Sequence, residues 1–166
     1  LILRHSHFFA KLPGDGKRVS WHQDASYWPL SVSKVTSAWL ALDDADLANG
    51  AMQVIPGSHR NAQVAFAKSG AEEQNVLNQT VQNPEQYGEP PVAIELKAGQ
   101  MSLHSDWVLH GSEPNNSNRR RCGFACRRSL RRKGRAKRLS HVSTLDRRTA
   151  ASSAARFARR TIRSSG

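Results

Sequence analysis

The amino-acid sequence predicts a mainly β domain, built as a sandwich or barrel, followed by a basic tail. Three observations support this prediction. Short segments rich in β-branched and aromatic residues recur through residues 1–126. Turn-forming Gly, Pro and Asn residues separate these segments, which is typical of all-β folds and not of βαβ units. The excess positive charge lies entirely in residues 127–166, so it belongs to a different part of the chain.

The predicted strands can be placed one by one. Residues 35–42 combine β-branched and aromatic side chains and end at two aspartates, where a turn is expected. Residues 51–55 form a second predicted strand, since they lie between an Asn-Gly pair and a Pro-Gly pair. The remaining predicted strands are residues 92–96, 101–103, 107–109 and 121–125. Residues 66–91 show no clean period and predict an irregular insert with one short helix.

Charge divides the chain into two parts. The net charge of +12 is typical of a nucleic-acid-binding protein, but residues 1–126 hold 11 of the 25 Lys and Arg residues and 12 of the 13 Asp and Glu residues. The remaining 14 basic residues and one acidic residue follow. We therefore predict a folded domain over residues 1–127. A basic low-complexity tail over residues 128–166 is predicted to be disordered, or helical only near residues 150–162.

Several classes of protein do not fit the sequence. Cys122 and Cys126 are too few for a disulfide framework or a four-cysteine zinc site, and we interpret them as small core residues. Apolar runs are too short to span a bilayer, and the opening segment is a poor match to a signal peptide. We therefore expect a cytoplasmic protein, and because the chain opens on Leu1 we expect a fragment of a longer one.

A His-x-Asp pair is the first chemical signal. His22 and Asp24 lie two residues apart, so on a strand both side chains would face the same way and could bind one ion. The pair alone is a weak signal, because it occurs by chance in many chains. Two histidines and one carboxylate on one face of a metal are the ligands of non-haem Fe(II) oxygenases, so a second histidine is needed from elsewhere.

The residues around this pair form an ordered series of blocks. His22-Gln23-Asp24 is followed by Tyr-Trp-Pro-Leu at 27–30, Ala-Trp-Leu-Ala-Leu-Asp-Asp at 38–44, Asn-Gly-Ala-Met at 49–52, Pro-Gly-Ser-His at 56–59, His-Gly-Ser at 110–112, Pro-Asn at 114–115 and three arginines at 119–121. From about residue 8 to residue 127 this series closely resembles the phytanoyl-CoA dioxygenase family. The resemblance implies a double-stranded β-helix (jelly roll), here incomplete. It also implies Fe(II) as cofactor and 2-oxoglutarate as co-substrate.

By this resemblance, His22, Asp24 and His110 are the iron ligands and the catalytic centre. His104 is the rival for the third position, but it lacks the Gly-Ser that follows His110, and we interpret it as a residue that packs near the ligands. Gln23 lies between two ligands and should face away from the metal. A further histidine, His59, follows Pro-Gly-Ser and is interpreted as structural.

Arg121 lies eleven residues after His110, the spacing at which this family places the arginine that binds the distal carboxylate of 2-oxoglutarate. A guanidinium can form two parallel hydrogen bonds with a carboxylate and stays charged when buried. Arg119 and Arg120 are alternatives if the register differs, and Arg119 is the stronger of the two because it would share a strand face with Arg121.

Ser112 and Trp39 complete the co-substrate site that the resemblance implies. Ser112 matches the family's serine that donates to the same carboxylate. Trp39 matches an aromatic residue that lines the 2-oxoglutarate pocket, and core packing explains it equally well. The intact Asp24 excludes the related halogenases, which have a small residue there. The implied reaction is hydroxylation of an unactivated C–H bond of a small molecule with O2, releasing succinate and CO2; acyl-CoA, a free metabolite and a biosynthetic intermediate all stay open as substrates.

Two other functions stay open at this point. The Arg-rich tail could give salt-sensitive binding to nucleic acid, but it lacks interleaved aromatic residues or a reader motif. A disordered extension, or translation out of frame, explains the tail better. A cupin-like jelly roll that holds zinc or manganese for another reaction would not need a 2-oxoglutarate anchor such as Arg121 and Ser112.

Overall fold

The computed structural model describes residues 2–27, 35–70 and 74–129, except for the side chains of residues 2–5 and 128–129. The Trp-Pro-Leu block at 28–30 lies outside these ranges, and so does the basic tail from residue 130. The chain divides into two compact units, Leu1–Arg131 and Arg132–Gly166. The second unit lies wholly outside the described residues, so the domain boundary after residue 127 and the disorder or short helix of the tail stay predictions.

Short strands dominate the described part of the chain. They are β1 (Ile2–Lys11), β2 (Val19–His22), β3 (Val35–Ala41), β4 (Gln53–Val54), β5 (Ala67–Lys68), β6 (Gln79–Thr80), β7 (Val92–Ala93), β8 (Met101–Ser105), β9 (His110–Ser112) and β10 (Arg121–Ser129). Short 3₁₀ helices cover Asp24–Tyr27, Leu47–Asn49, Ser58–Asn61 and Pro84–Tyr87. Among these residues no helix is long and apolar enough to cross a membrane. The cytoplasmic location stays a prediction.

Two four-stranded antiparallel sheets form the body of the domain. Their strand orders are β1-β10-β3-β8 and β2-β9-β4-β7, and β5 and β6 form a separate two-stranded sheet. One cavity is lined from both four-stranded sheets, by Trp39 of β3 and Arg121 of β10 on one side and by His22 of β2 and His110 of β9 on the other. This architecture confirms the predicted jelly roll.

The strand predicted at residues 107–109 is wrong. β8 ends at Ser105, and the Val108 N–H donates to the Ser105 carbonyl at 3.1 Å, which closes a turn. Leu109 is fully buried, and its N–H donates to the Ser58 hydroxyl at 2.9 Å. The apolar run at this point therefore reflects core packing of Leu109 and not strand pairing.

Other predicted elements differ mainly in length. The strands predicted at 51–55 and 92–96 shorten to β4 and β7, two residues each. The segment at 121–125 extends to Ser129. In the insert at 66–91, the described residues form β5, β6 and a 3₁₀ helix over Pro84–Tyr87 in place of the predicted short helix.

Two apolar clusters stabilise the sheets. One consists of Trp39, Ala41, Ala45 and Ala51, and the other of Ile55, Val64, Val81 and Leu109. Trp39 lies so close to β10 that a Cβ added at Gly123 would be 2.1 Å from its indole ring. Glycine at this position is therefore what allows the tryptophan to lie against the strand.

We expect Gly123→Ala to destabilise the protein by about 1–3 kcal/mol, the usual cost of overpacking a core. The added methyl group must displace the Trp39 indole, which cannot retreat without leaving the first cluster. Urea denaturation of the variant measures the loss of unfolding free energy. In a Trp39→Leu background the same substitution should cost much less. An equal cost in both backgrounds would show that the clash with Trp39 is not the cause.

Candidate metal centre

Three separate elements bring the predicted ligands together. His22 is the last residue of β2, and His110, the first residue of β9, pairs with it across the second sheet. Asp24 begins the 3₁₀ helix Asp24–Tyr27, so the expectation that it shares a strand with His22 is wrong. The chain turns directly after His22, and this turn, not strand alternation, directs the carboxylate towards both histidines.

The three side chains form a compact buried group. The Asp24 Oδ1 atom lies 3.8 Å from Nε2 of His22 and 3.9 Å from Nε2 of His110. The two imidazole centroids are 4.1 Å apart. One ligand atom from each residue lies within 4.8 Å of the others. Two imidazole nitrogens and one carboxylate oxygen in this arrangement fit a single divalent transition metal.

Hydrogen bonds select the tautomer of each histidine. Nδ1 of His22 lies 2.8 Å from the Ser20 carbonyl, and Nδ1 of His110 lies 3.0 Å from the Val108 carbonyl. Because a carbonyl oxygen only accepts, Nδ1 must carry the proton in both rings. Nε2 then presents its lone pair to the centre of the group, as a metal ligand requires.

The surroundings also favour the protonation states that a metal needs. Burial lowers the pKa of His22 to about 3, with a further contribution from His110. Burial alone would raise the pKa of Asp24, but His110, Arg127 and His22 together hold it well below its usual range. At neutral pH the group therefore offers a neutral imidazole and an ionised carboxylate, and ligation of a metal requires no proton release from either.

Two residues that hold Asp24 were not predicted from the sequence. Arg127 donates from Nε to Oδ2 at 2.8 Å and from Nη2 to Oδ1 at 2.6 Å. The Ser37 hydroxyl donates to Oδ2 at 2.8 Å. Strand alternation gave a signal for both, because Arg127 shares a face of β10 with Arg121, and Ser37 shares a face of β3 with Trp39.

Arg121 lies in the same cavity as the three ligands. The cavity has a volume of about 370 Å3. Only 4% of Arg121 is exposed, and its Nε atom has no hydrogen-bond partner among the described residues. Burial lowers its pKa to about 10, so the guanidinium stays charged at neutral pH. The guanidinium carbon lies 5.5 Å from the centroid of the Trp39 ring, within the range of a cation–π contact.

The two alternative arginines lie elsewhere. Arg119 donates to Asp46 at 2.6 Å, and Arg120 forms a fork on Asp43 at 2.7 and 2.9 Å. Both are exposed, and neither lines the cavity. Their acids neutralise them at the surface, so Arg121 is the arginine of this run that faces the ligands.

Of the other residues considered for the site, some line the cavity and one does not. Ser112 and His104 both line the cavity, and the His104 ring centroid is 4.9 Å from that of His110. Trp39 also lines it while belonging to the first apolar cluster, so core packing is confirmed and contact with 2-oxoglutarate stays a prediction. Gln23 does not line the cavity, since its amide donates to the carbonyls of Ala62 and Trp107.

Three further residues lie away from the metal centre. His59 is exposed in the 3₁₀ helix Ser58–Asn61 and does not line the cavity. Cys122 and Cys126 are free, half-buried thiols that alternate with Arg121 and Arg127 along β10. The interpretation of both cysteines as core residues is therefore wrong, because strand alternation places them on the outer face of the sheet.

Known proteins are similar to this chain over most of the residues that the structure describes. A family model for phytanoyl-CoA dioxygenase matches residues 2–123. A phytanoyl-CoA dioxygenase of Arabidopsis thaliana is 33% identical over 125 residues, which are 75% of this chain and 43% of that protein. A probable alpha-ketoglutarate-dependent hypophosphite dioxygenase of Stutzerimonas stutzeri is 30% identical over 112 residues, which are 66% of this chain and 38% of that protein.

A solved structure shows the same fold. EvdO2 from Micromonospora carbonacea var. aurantiaca, complexed with 2-oxoglutarate, matches with a TM-score of 0.64 and 23% identity, over 75% of this chain and 51% of that one. The chain thus spans about half the length of this protein and somewhat less than half of the two relatives.

We expect the metal-free protein to lose stability as the pH falls from about 6.5 to about 4. Burial lowers the pKa of His22 to about 3 and that of His104 to about 4, from 6.5 in an unfolded chain. Over this window the unfolded chain takes up protons that the folded protein does not bind, so the free energy of unfolding decreases with falling pH. Urea denaturation across the window measures the slope. His104→Gln should flatten the slope, whereas exposed His59→Gln should not; equal slopes in both variants would contradict the assignment.

Proposed function

Because this chain belongs to the phytanoyl-CoA dioxygenase family, we propose that it is an Fe(II)- and 2-oxoglutarate-dependent dioxygenase. His22, Asp24 and His110 hold the iron in this proposal, and Arg121 binds the distal carboxylate of 2-oxoglutarate. The reaction is hydroxylation of an unactivated C–H bond of a small molecule. The matched relatives are more than twice as long as the shared region.

The observation that carries the proposal is the unpaired charge of Arg121. A buried cation without a partner is costly, because it has lost its hydration and gained no counter-charge. Within the described ranges the guanidinium has a ring contact with Trp39 and no carboxylate. A planar fork facing a cavity matches a carboxylate ligand in both charge and shape. An acid that also binds metal would then lie between Arg121 and the triad.

Ser112 and Trp39 support the same ligand. Ser112 follows His110 by two residues on β9, is buried and lines the cavity, so its hydroxyl can donate to the carboxylate that Arg121 binds. The Trp39 ring lies beneath the guanidinium, in the range of a cation–π contact. A cupin-like protein with zinc or manganese would have no use for this anchor, so the buried arginine disfavours that alternative.

Bound Fe(II) would supply the activation of dioxygen, coupled to conversion of 2-oxoglutarate to succinate and CO2. The residues of this chain supply ligands, orientation and exclusion of water. Apolar side chains form much of the remaining wall, namely Phe9, Val19, Met52, Leu77 and Ala125. A hydrocarbon part of a substrate fits against such a wall. The intact Asp24 retains the carboxylate ligand, which favours hydroxylation over halogenation. Acyl-CoA, a free metabolite and a biosynthetic intermediate are the substrate classes to test, with cytoplasmic assay conditions as the first choice.

Anaerobic addition of Fe(II) and 2-oxoglutarate should produce a visible charge-transfer absorption. Arg121→Ala should weaken 2-oxoglutarate binding by more than about ten-fold, because truncating one partner of a buried charge pair costs about 2–5 kcal/mol. Titration of the absorption band measures the dissociation constant. Arg120→Ala is the matched control, since it removes an exposed arginine one position away. Equal affinities in the two variants would refute the role of Arg121.

Asp24→Ala should abolish the absorption band, because the iron then loses its only carboxylate ligand in the triad. Binding of 2-oxoglutarate alone, measured by calorimetry without metal, should be affected much less. A band of wild-type intensity in this variant would place the metal elsewhere and would refute the proposed centre.

A further inference from the structure

We propose that Arg127 is a positioning residue that fixes Asp24 as a one-oxygen metal ligand. This role rests on the metal centre proposed above but not on the reaction that follows from it. Arg127 is near the end of β10, where it lines the cavity together with Arg121. Its guanidinium contacts both oxygens of Asp24, whereas that of Arg121 contacts no carboxylate among the described residues.

Within the part of the chain that the structure describes, the hydrogen bonds to Asp24 leave one acceptor position free. An ionised carboxylate offers about four lone-pair positions, two on each oxygen. Oδ2 accepts from the Ser37 hydroxyl at 2.8 Å and from Arg127 Nε at 2.8 Å, so both of its positions are used. Oδ1 accepts once, from Arg127 Nη2 at 2.6 Å. Its second position remains, and Oδ1 is also the oxygen that lies 3.8 and 3.9 Å from the two histidine Nε2 atoms.

The arginine is itself held on its third nitrogen. Arg127 Nη1 lies 3.2 Å from Nε2 of His7, on the neighbouring strand β1. A guanidinium only donates, so this nitrogen of His7 must accept, and the imidazole is neutral in this contact. Only 15% of the Arg127 side chain and 3% of that of Asp24 are exposed. The fork is therefore fixed between β1 and the 3₁₀ helix Asp24–Tyr27 and is largely out of water, where hydrogen bonds to charged groups are strong.

Charge and geometry predict opposite effects on metal binding. A positive group beside a divalent ion weakens binding by repulsion, whereas a fixed carboxylate strengthens it because fewer orientations are lost. Arg127→Lys separates the two effects, since lysine keeps the charge and loses the planar fork. With Oδ2 occupied, Asp24 can use only Oδ1, which leaves more positions on the metal for other ligands. Loss of the fork should permit other binding modes of the carboxylate.

The test is titration of the chain with Co(II), followed by calorimetry and by the visible absorption of the bound ion. We expect Arg127→Lys to weaken Co(II) binding about 10–100-fold, the usual effect of removing a partner of a metal ligand, and to change the absorption spectrum. Arg120→Lys is the matched control, because it alters the fork on Asp43 at the surface. This control should bind Co(II) as the wild type does.

His7→Phe provides a second variant, which removes the contact of His7 with Arg127 and preserves the arginine. We expect His7→Phe to change Co(II) affinity and the absorption spectrum in the same direction as Arg127→Lys, by a smaller factor. If Arg127→Lys does not fold, His7→Phe tests the positioning role alone. Wild-type affinity and spectrum in Arg127→Lys, or tighter binding, would overturn the positioning role. Asp24→Ala tests the metal centre separately from the role of Arg127. Wild-type Co(II) binding in that variant would refute the metal centre itself.

Discussion

The buried negative charge of Asp24 is the constraint on which the rest of the cavity depends. An ionised carboxylate inside a protein needs counter-charge and hydrogen-bond donors, or it takes up a proton. Neighbouring strands supply both, since β3 contributes Ser37 and β10 contributes Arg127, and these two residues are paired in the sheet register. Burial lowers the pKa of His22, which therefore remains neutral beside the carboxylate. The second arginine, Arg121, lies in the same cavity, and among the described residues no acid neutralises it.

Much of this arrangement was predictable from one sequence. The residues around His22 and His110 form short contiguous blocks. The spacing within such a block is fixed by the sequence and does not depend on how the rest of the chain folds. The resemblance to the phytanoyl-CoA dioxygenase family favoured Arg121 over Arg119 and Arg120, because Arg121 lies at the family's spacing from His110. In the structure the two neighbours instead contact surface acids. The sheets were predicted from turn residues and β-branched segments, which are local signals as well.

The contacts that were not predicted join distant parts of the chain. Arg127 and Asp24 are 103 positions apart, and their contact depends on which strands pair and in which register. A single sequence carries no direct record of register. A short apolar run can indicate either a buried strand or a buried loop. Residues 107–109 were mistaken for a strand because Leu109 is apolar, but Leu109 packs in the second cluster. His22 and Asp24 meet through a turn, although their spacing suggested strand alternation.

The alternation of the two faces of β10 determines how this strand responds to insertions and deletions in the gene. Arg121, Ala125 and Arg127 line the cavity, whereas the alternating positions, among them Phe124 and Cys126, do not. A deletion or insertion of one codon within β10 would exchange the two faces for every residue beyond it. The backbone ladder with β1 and β3 could largely re-form, so the product could still be expressed and partly folded. It would nevertheless turn guanidinium groups outward and thiols inward, and so β10 should tolerate substitutions on its outer face far better than changes in length.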